Sequence, residues 1–434
     1  MLISPQKITG HSVLRNLIFL LAINVIIRTA WLLFMHPPQA LDFEWYYTHA
    51  VQMASGGGYR QGNLYTAYWP IGYPYFLSLL FRITGPSVWA GLIANAILSV
   101  MIVMLIYAIT LQLAHRPTLS LFAAVGYTVL PSQIEWNAVL GSEELYTMLI
   151  LASLCVYICA AERNRRLGLF VLISGVILGL SCDVRPISLL FPFAIWVYEL
   201  WIRRFPFIKA TLTLMCMYIG LAIGICPVTI RNAIALHHFI LVSTNGGVDL
   251  WQGTHVDGSY FWSWNPKINP LLAAGSNQYL EGKIGTHIFI EHVIHHPIWT
   301  VIHGVLKWFF LYWVDWNVVG VTFQAFTKEP IQWLVKSAMW FDTIVYWAWM
   351  CICAIGAWKG IKLGLQSWKV IALPIAYIAY NTAIFFFFPA WDRFRYPMMP
   401  LFAILFGLGI YVIVLELQQR RAVTTVKSTI TISQ

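Results

Sequence analysis

The chain has 434 residues, of which 59% are hydrophobic and only 10% are Asp, Glu, Lys or Arg. A typical soluble domain carries about 25% charged residues, so this composition excludes a soluble globular protein. Apolar runs of about twenty residues recur along the chain, and such runs satisfy their own backbone hydrogen bonds in lipid as helices. The formal net charge is +10, but the basic residues stand in small groups between apolar runs. This pattern is typical of the topology signal of a membrane protein, and it predicts no nucleic-acid partner.

Ten apolar segments are predicted to span the membrane. They lie near residues 14–35, 88–111, 118–134, 144–161, 167–182, 186–202, 208–229, 338–358, 369–389 and 397–416. A cytoplasmic N-terminus places most lysines and arginines inside, as the positive-inside rule requires. The segment 296–314 is apolar enough for an eleventh span, but a crossing there would move Lys359 and Arg420 outside. We therefore expect this segment to be an interfacial helix on the outer face.

This topology divides the chain into six parts. They are a cytoplasmic N-terminus with the first span (1–35), a first periplasmic loop (36–87), spans two to seven (88–229), a large periplasmic segment with the interfacial helix (230–337), spans eight to ten (338–416) and a cytoplasmic tail (417–434). The two periplasmic segments are rich in Trp, Tyr, Gly and Asn and are large enough to build a site. No internal repeat typical of an inverted-repeat transporter is visible.

Acids and arginines collect at the outer ends of the predicted spans. An acidic side chain at membrane depth costs about 2.5–3.5 kcal/mol on insertion scales, so such residues need a partner or a function. The set comes from distant parts of the chain and comprises Asp42, Glu44, Glu143, Glu144, Asp183, Arg185, Asp392, Arg393 and Arg395. Each residue alone fits a solvated loop. Together they predict a polar cavity that opens to the outer face.

The arginines and the acids of this set suit different chemistry. A guanidinium group presents a planar charged fork that matches phosphate oxygens, so Arg185, Arg393 and Arg395 suit an anionic lipid headgroup. A carboxylate such as that of Asp42 acts as a general base towards a hydroxyl that lies within hydrogen-bonding distance. The sequence therefore predicts phosphate binding and proton abstraction in one cavity.

Five motifs contain most of these residues. They are Leu41–Tyr47 with Tyr68–Leu77, Gly141–Tyr146, Asp183–Pro186, Ser243–Gly253 and Arg393–Pro400. In this order they resemble the motifs of GT-C glycosyltransferases, and above all the bacterial branch similar to protein O-mannosyltransferases and to the lipid A aminoarabinose transferase. The resemblance implies an all-α polytopic membrane protein with the GT-C fold, about ten transmembrane helices and a cap of loops and juxtamembrane helices on the outer face.

The resemblance also implies a reaction. A sugar passes, with inversion, from a polyprenyl-phosphate donor to an acceptor hydroxyl on the periplasmic side of the inner membrane. Carried over by position, Asp42 is the general base, with Glu44 as the alternative, and Arg393, Arg395 and Arg185 hold the donor phosphate. The residues expected around the acceptor are Glu143, Glu144, Tyr46, Asn245 and Trp251. An envelope glycan, a lipid and a protein hydroxyl all remain open as acceptors.

Metal ions receive little support from the sequence. His287, Glu291 and His295 have the four-residue spacing of ligands on one helix face, but an outward-facing helix explains them as well. All seven cysteines lie within or at the ends of apolar runs, so no disulfide framework or zinc site is indicated. We predict no metal site and no required cofactor. A divalent cation beside Asp42 and Glu44 stays open, because some GT-C enzymes bind one next to paired acids.

Two other functions stay open at this point. A flippase or transporter of lipid-linked saccharides would also need an arginine-bearing outer cavity, but it predicts broken or charged helices at mid-membrane. An O-antigen ligase or polymerase would rely on arginines and a histidine in a late outer loop rather than on an acid after the first helix. Substitution of Asp42 separates the ligase or polymerase from the glycosyltransferase.

Overall fold

The computed structural model describes residues 9–162, 167–255, 262–263, 265–326, 331–362 and 365–432. Within these residues the chain forms seventeen α-helices and one small antiparallel sheet. The first part contains α1 Gly10–Phe34, α2 Asp42–Ala54, β1 Arg60–Gln61, β2 Leu64–Tyr65, α3 Gly72–Thr84, α4 Val88–Ala114, α5 Pro117–Thr128, α6 Pro131–Glu135, α7 Glu143–Glu162, α8 Leu167–Val184, α9 Phe191–Trp201 and α10 Phe207–Leu236. The second part contains α11 Asn245–Gln252, α12 Gln278–His295, α13 Pro297–Trp313, α14 Asn317–Phe326, α15 Gln332–Lys362, α16 Leu365–Ile384 and α17 Met399–Ile432.

Helices cover all ten segments that the hydropathy pattern marks as spans. Among the described residues, six helical stretches are long and apolar enough to cross a membrane, namely Gly10–Phe34, Val88–Ala114, Glu143–Ala160, Phe207–Leu236, Gln332–Lys362 and Asp392–Arg421. Three shorter apolar stretches are Gly168–Val184, Pro186–Trp201 and Val370–Ile384. The predicted segment 118–134 is broken into α5 and α6, because Pro131 begins a new helix. The all-α membrane architecture is confirmed, while the number of spans and the six-part division stay predictions.

Helices α8 and α10 pack through glycines. Gly175 and Gly179 of α8 lie against Gly220 and Gly224 of α10. A Cβ atom at Gly179 would collide with the backbone carbonyl of Leu221. Lipid tails are as apolar as the side chains, so helices in a membrane gain stability mainly where small residues let their backbones approach closely. These four glycines therefore set the distance between α8 and α10.

The loop segments after α1 and after α10 pack on each other. The Thr244 N–H donates to the Ala67 carbonyl at 2.8 Å, and the Asn245 N–H donates to the Tyr68 carbonyl at 3.2 Å. Arg231 Nη1 donates to the Thr66 carbonyl at 2.6 Å, which ties the end of α10 to the first loop. Helices α2, α3, α11 and α12, together with the sheet, thus form one unit, which we call the cap.

The predicted interfacial segment is the helix α13. Its exposed side chains form an apolar stripe of Ile298, Trp299, Val301, Ile302, Val305 and Phe309, whereas Gly304, Lys307 and Leu311 are buried. Such a stripe suits contact with lipid. The interfacial position of α13 stays a prediction.

Candidate functional site

Asp42 begins α2, and the residue before it has an unusual backbone. Leu41 has φ of 53° and ψ of −126°, a conformation that a leucine rarely adopts. Strain of this kind costs about 1–3 kcal/mol and persists only where the surrounding structure enforces it. The Asp42 side chain keeps 35% of its surface exposed. Tyr46 lies one helical turn later on the same face, and both residues line one cavity.

Asp42 belongs to a network of four charged side chains, which we call the ion network. Arg393 Nη1 donates to Asp42 Oδ2 at 2.7 Å, and Arg393 Nε donates to Glu143 Oε1 at 2.6 Å. Arg185 Nη1 donates to the same Glu143 oxygen at 2.9 Å. Two acids and two arginines balance in charge, and Glu143, at their centre, is fully buried. The structure therefore brings together four of the predicted site residues from α2, α7, the end of α8 and the turn before α17.

Glycines in two of the motifs allow this convergence. A Cβ atom at Gly72 would lie 2.6 Å from the Asp183 carbonyl oxygen, so the start of α3 packs directly on the end of α8 that presents Arg185. A Cβ atom at Gly141 would lie 2.5 Å from Glu143 Oε2. The atoms that face Gly72 are backbone atoms that cannot move aside, so only glycine fits there. At Gly141 the neighbour is the Glu143 carboxylate itself, so a side chain there would displace this carboxylate from the ion network.

The ion network retains unused hydrogen-bonding capacity. Arg393 Nη2 and Glu143 Oε2 are buried and have no hydrogen-bond partner among the described residues. The Arg393 guanidinium also lies 5.0 Å from the ring centroid of Phe43 and 5.7 Å from that of Trp136. A buried charged group without a hydrogen-bond partner costs free energy, so Arg393 Nη2 is suited to donate to a ligand oxygen.

The cavity beside the ion network has a volume of about 1980 Å³. This exceeds the roughly 300–1,000 Å³ of ordinary small-molecule pockets. Asp42, Arg185 and Arg393 line it, and an apolar wall is formed by Leu189, Leu190, Phe239, Leu241, Val321, Ile384, Phe385 and Phe388. A cavity with a charged part and a long apolar wall matches a lipid that carries a phosphate headgroup.

A second acid, Asp249, lines the same cavity. Asn245 Nδ2 donates to Asp249 Oδ2 at 3.0 Å, one helical turn away on α11. Burial raises the pKa of Asp249 to about 7, with Arg185 opposing the shift and the Asp42 charge adding to it. Burial likewise raises the pKa of the Tyr46 hydroxyl to about 12, and the Asp42 charge contributes to that shift. Sequence reasoning did not select Asp249, although it lies in the Ser243–Gly253 motif that supplied Asn245.

Arg395 does not line the cavity. Its guanidinium donates to the carbonyls of Leu311 and Val314 and to Asp315 Oδ1, the last at 2.8 Å. It also lies 3.9 Å from the ring centroid of Tyr346. Arg395 thus binds the end of α13, two residues away from Arg393 but on another side of the turn.

Three other predicted residues also lie away from the cavity. Glu44 is exposed, because two residues along a helix rotate a side chain by about 200° from Asp42. Glu144 is fully buried near Tyr73 and Tyr127, and neither carboxylate oxygen has a hydrogen-bond partner among the described residues. Trp251 is 4% exposed and packs with Val248 and Leu271. Asn245, by contrast, lines the cavity.

A cluster of buried acids lies near Arg395, and of its members only Asp392 belongs to the set predicted from the sequence. Asp392 Oδ2 accepts from the N–H groups of Trp316 and Asn317, both at 2.7 Å, at the start of α14. Glu135 is hydrogen-bonded to Asp342. The members of the cluster are Glu135, Asp315, Asp342 and Asp392, all less than a tenth exposed. They lie on α6, in the α13–α14 connection, on α15 and in the turn before α17, so only the tertiary fold brings them together.

No metal-binding arrangement is found in the part of the chain that the structure describes. No group of three or more His, Cys, Asp or Glu side chains there is placed to hold an ion. His287 Nε2 lies 3.3 Å from Glu291 Oε1, but both side chains are largely exposed. Asp42 and Glu44 point in different directions around α2.

Comparisons with known proteins match the chain to one family model and to several solved structures. Residues 69–230 match the model of a family described as dolichyl-phosphate-mannose-protein mannosyltransferase. The oligosaccharyltransferase of Archaeoglobus fulgidus, solved in complex with Zn and sulfate, is similar with a TM-score of 0.55 and 14% identity over 95% of this chain and 51% of that one. AglB of the same organism, solved with an inhibitory peptide and a dolichol-phosphate, gives a TM-score of 0.54 and 14% identity over 95% of this chain and 52% of that one.

A further solved structure, ArnT from Cupriavidus metallidurans bound to undecaprenyl phosphate, gives a TM-score of 0.44 and 12% identity over 91% of this chain and 75% of that one. A comparison with curated protein sequences gives no match. The chain spans about half the length of the oligosaccharyltransferase structures it matches. The likeness to those structures confirms the predicted GT-C membrane glycosyltransferase fold.

Proposed function

We propose that this protein is an integral membrane glycosyltransferase that moves a sugar from a polyprenyl-phosphate donor to an acceptor hydroxyl with inversion. The observation that carries the proposal is the cavity itself. An accessible carboxylate, Asp42, lies within hydrogen-bonding distance of an arginine in a cavity whose other wall is apolar. A structurally similar protein, AglB, has been solved with a dolichol-phosphate, a ligand with the same combination of phosphate and prenyl chain.

The donor occupies the ion network and the apolar wall in this proposal. The prenyl chain lies along the wall near Leu190 and Phe388, and the phosphate accepts hydrogen bonds from Arg393 Nη2 and from Arg185. As the bond between the anomeric carbon and the phosphate oxygen breaks, negative charge grows on the phosphate. Fixed guanidinium groups stabilise this charge more in the transition state than in the ground state, which accelerates the reaction.

Asp42 is the general base. The acceptor oxygen attacks the anomeric carbon, its proton passes to Asp42, and polyprenyl phosphate leaves from the opposite side. In the structure Asp42 shares Arg393 with Glu143. A bound phosphate competes for the same guanidinium and thereby weakens its hold on Asp42. Donor binding then frees the Asp42 carboxylate to accept the acceptor proton when a sugar is present to transfer.

The active site faces the periplasm in this proposal. Lysines and arginines predominate in the loops predicted to be cytoplasmic, and the cavity lies between the opposite helix ends. A topology reporter fused directly after Lys359 is expected to score as cytoplasmic. An external score would overturn this topology and indicate that α13 crosses the membrane.

The test uses purified protein in liposomes with a polyprenyl-phosphate sugar of known anomeric configuration. The expected result is a glycosylated acceptor of inverted configuration, with polyprenyl phosphate released in equal amount. A sugar on a polyprenyl diphosphate serves as the control donor and is expected to react poorly. Mass spectrometry of envelope glycans, lipids and proteins from a deletion strain supplies the acceptor for the assay. Retained configuration, or movement of the intact lipid-linked sugar across the bilayer without transfer, would contradict the proposal.

Omission of divalent cations and addition of EDTA test the metal requirement separately. We expect transfer to continue, because the guanidinium groups of the ion network supply the positive charge. Loss of transfer on EDTA and its return with one divalent cation would assign that charge to a metal.

A further inference from the structure

The polar side chains of the cavity are not evenly distributed. Apart from the ion network and Asn317, the non-aromatic polar residues that line the cavity all come from the segment between α10 and the middle of α12. They include Ser243, Asn245, Asp249, Asn265, Lys283 and Thr286. The cavity therefore has a charged floor, an apolar wall and a separate polar wall, which we call the α11–α12 wall.

Asp249 is the acid of the α11–α12 wall, and a relay of hydrogen bonds positions it. Ser243 Oγ donates to Asn245 Oδ1 at 2.8 Å, and Asn245 Nδ2 donates to Asp249 Oδ2 at 3.0 Å. Asn245 is itself held by its backbone bond to Tyr68. Gly247 of α11 packs against the backbone of α12 so closely that any side chain there would collide with Gly282. Asp249 is thus presented from a rigid support, which a specific binding contact requires.

Asp249 stands outside the ion network but in electrostatic contact with it. The negative charge of Asp42 and the positive charge of Arg185 both reach Asp249. Oδ1 of Asp249 has no hydrogen-bond donor among the described residues, whereas Oδ2 accepts from Asn245. One carboxylate oxygen is therefore fixed by the protein, and the other is available to a ligand.

We propose that Asp249 is a specificity-determining residue that accepts a hydrogen bond from a hydroxyl of the acceptor, and that the acceptor is a saccharide. The inference rests on the proposed function, since it assigns the α11–α12 wall to the second substrate. A carboxylate next to an amide recognises neighbouring hydroxyls, and Asn245 and Asp249 line the cavity side by side. A serine or threonine side chain presents a single hydroxyl, which Asp42 deprotonates in the proposed reaction. It leaves no second hydroxyl for Asp249, whereas a saccharide has several.

The pH dependence supplies an independent readout. Below about pH 7 the Asp249 carboxyl is protonated and accepts a hydrogen bond less well than the carboxylate. The wild-type kcat/KM for the acceptor should therefore rise with pH through about 7. In Asp249→Asn this rise should vanish, whereas Asp249→Glu should retain a rise because it keeps a titrating carboxyl.

The experiment measures steady-state transfer from a polyprenyl-phosphate sugar to two acceptors, an envelope oligosaccharide and a serine- and threonine-containing peptide. Asp249→Asn is expected to raise the KM for the oligosaccharide by at least about tenfold, as loss of a hydrogen bond to a charged group implies. The KM for the donor should stay within about twofold, because Arg185 and Arg393, the groups proposed to bind the phosphate, are both retained. Glu291→Gln, an exposed acid on α12 outside the cavity, is the matched control and should behave as the wild type.

Each outcome separates this inference from the proposed function. Absence of transfer by the wild type to both acceptors and to any envelope glycan, lipid or protein that the deletion strain identifies contradicts the proposed function itself. Transfer to the peptide alone overturns the saccharide acceptor. An unchanged acceptor KM and pH profile in both Asp249→Asn and Asp249→Glu, with normal donor KM, overturns the role of Asp249 and leaves the transferase intact. The donor KM also shows whether a variant is folded. If one of the two Asp249 variants has lost its structure, the acceptor KM and pH profile of the other variant test the role of Asp249.

Discussion

Replacement of Arg393 by lysine is expected to reduce the kcat of sugar transfer by about 10²–10³-fold, the usual cost of losing one donor that stabilises transition-state charge. Arg393 uses Nη1 for Asp42 and Nε for Glu143 and keeps Nη2 for the donor phosphate. Lysine retains the positive charge but has no planar fork, so it cannot serve these three acceptors in the same geometry. A cationic side chain therefore remains while the specific contacts are lost.

The stability cost follows from the same contacts. Glu143 is fully buried and Arg393 is 10% exposed, so solvent screens this pair little. Removal of one partner from a buried pair costs about 3–5 kcal/mol when the other charge is left alone. Glu143 keeps Arg185, so Arg393→Gln should cost about 3 kcal/mol, at the lower end of that range, and Arg393→Lys should cost less.

Arg395→Lys is the matched control, because Arg395 lies two residues away in the same turn but outside the cavity. It should lower the melting temperature in detergent, since lysine cannot make all three hydrogen bonds by which Arg395 holds the end of α13 and Asp315. The kcat of the folded fraction should remain near that of the wild type. The reasoning would be refuted if Arg393→Lys retained full kcat, or if Arg395→Lys lost kcat as severely while keeping its melting temperature.

Three further predictions concern the supporting structure. Gly179→Ala should destabilise the protein by about 1–3 kcal/mol, because the new methyl group meets the backbone of α10. Gly168→Ala in the same helix meets nothing within 4 Å and should stabilise the protein by about 0.5–1 kcal/mol, and thermal melts would compare the two variants. Leu41→Gly should relieve a backbone strain of about 1–3 kcal/mol and so raise the melting temperature, but it should lower kcat because Asp42 is held less firmly. A variant with unchanged kcat would show that the strain has no role in the reaction. Burial lowers the pKa of Lys307 from 10.5 to about 7, so between these pH values the unfolded chain binds one more proton than the folded protein, and stability should rise with pH. This contribution should disappear in Lys307→Met. A wild-type melting temperature that falls over the same pH interval would contradict the expectation.

Much of the site followed from topology. Once the spans and their direction were inferred, Asp42, Glu143, Arg185 and Arg393 all had to lie at the same ends of their helices, and the structure brings these four together. The sequence could not show which neighbouring residues point elsewhere. Glu44 lies about 200° around α2 from Asp42, and Arg395 faces α13 instead of the cavity. Spacing along the chain gives little information where a short turn, rather than a long helix, presents the side chains.

Asp249 and three of the acids near Arg395, namely Glu135, Asp315 and Asp342, were missed for a different reason. Asp249 lies in a short helix within a loop segment, where an aspartate is usually solvated. Its place in the cavity depends on the packing of α11 against α12, which Gly247 and Gly285 permit. Glu135 and Asp342 are hydrogen-bonded to each other, but they are separated by some two hundred residues in the sequence. Such contacts depend on the tertiary fold, which no local pattern specifies.

The central claim is that Asp42 removes the proton from the acceptor, and the most direct measurement is the rate of sugar transfer by Asp42→Asn. Asparagine has nearly the same shape and cannot take the proton, so kcat should fall by about 10²–10⁴-fold, the usual contribution of a general base. Glu44→Gln, which changes an acid outside the cavity, should keep the wild-type rate. Asp42→Asn should still bind polyprenyl phosphate, because Arg185 and Arg393 remain. Wild-type transfer by Asp42→Asn, or loss of transfer in Glu44→Gln instead, would contradict the account.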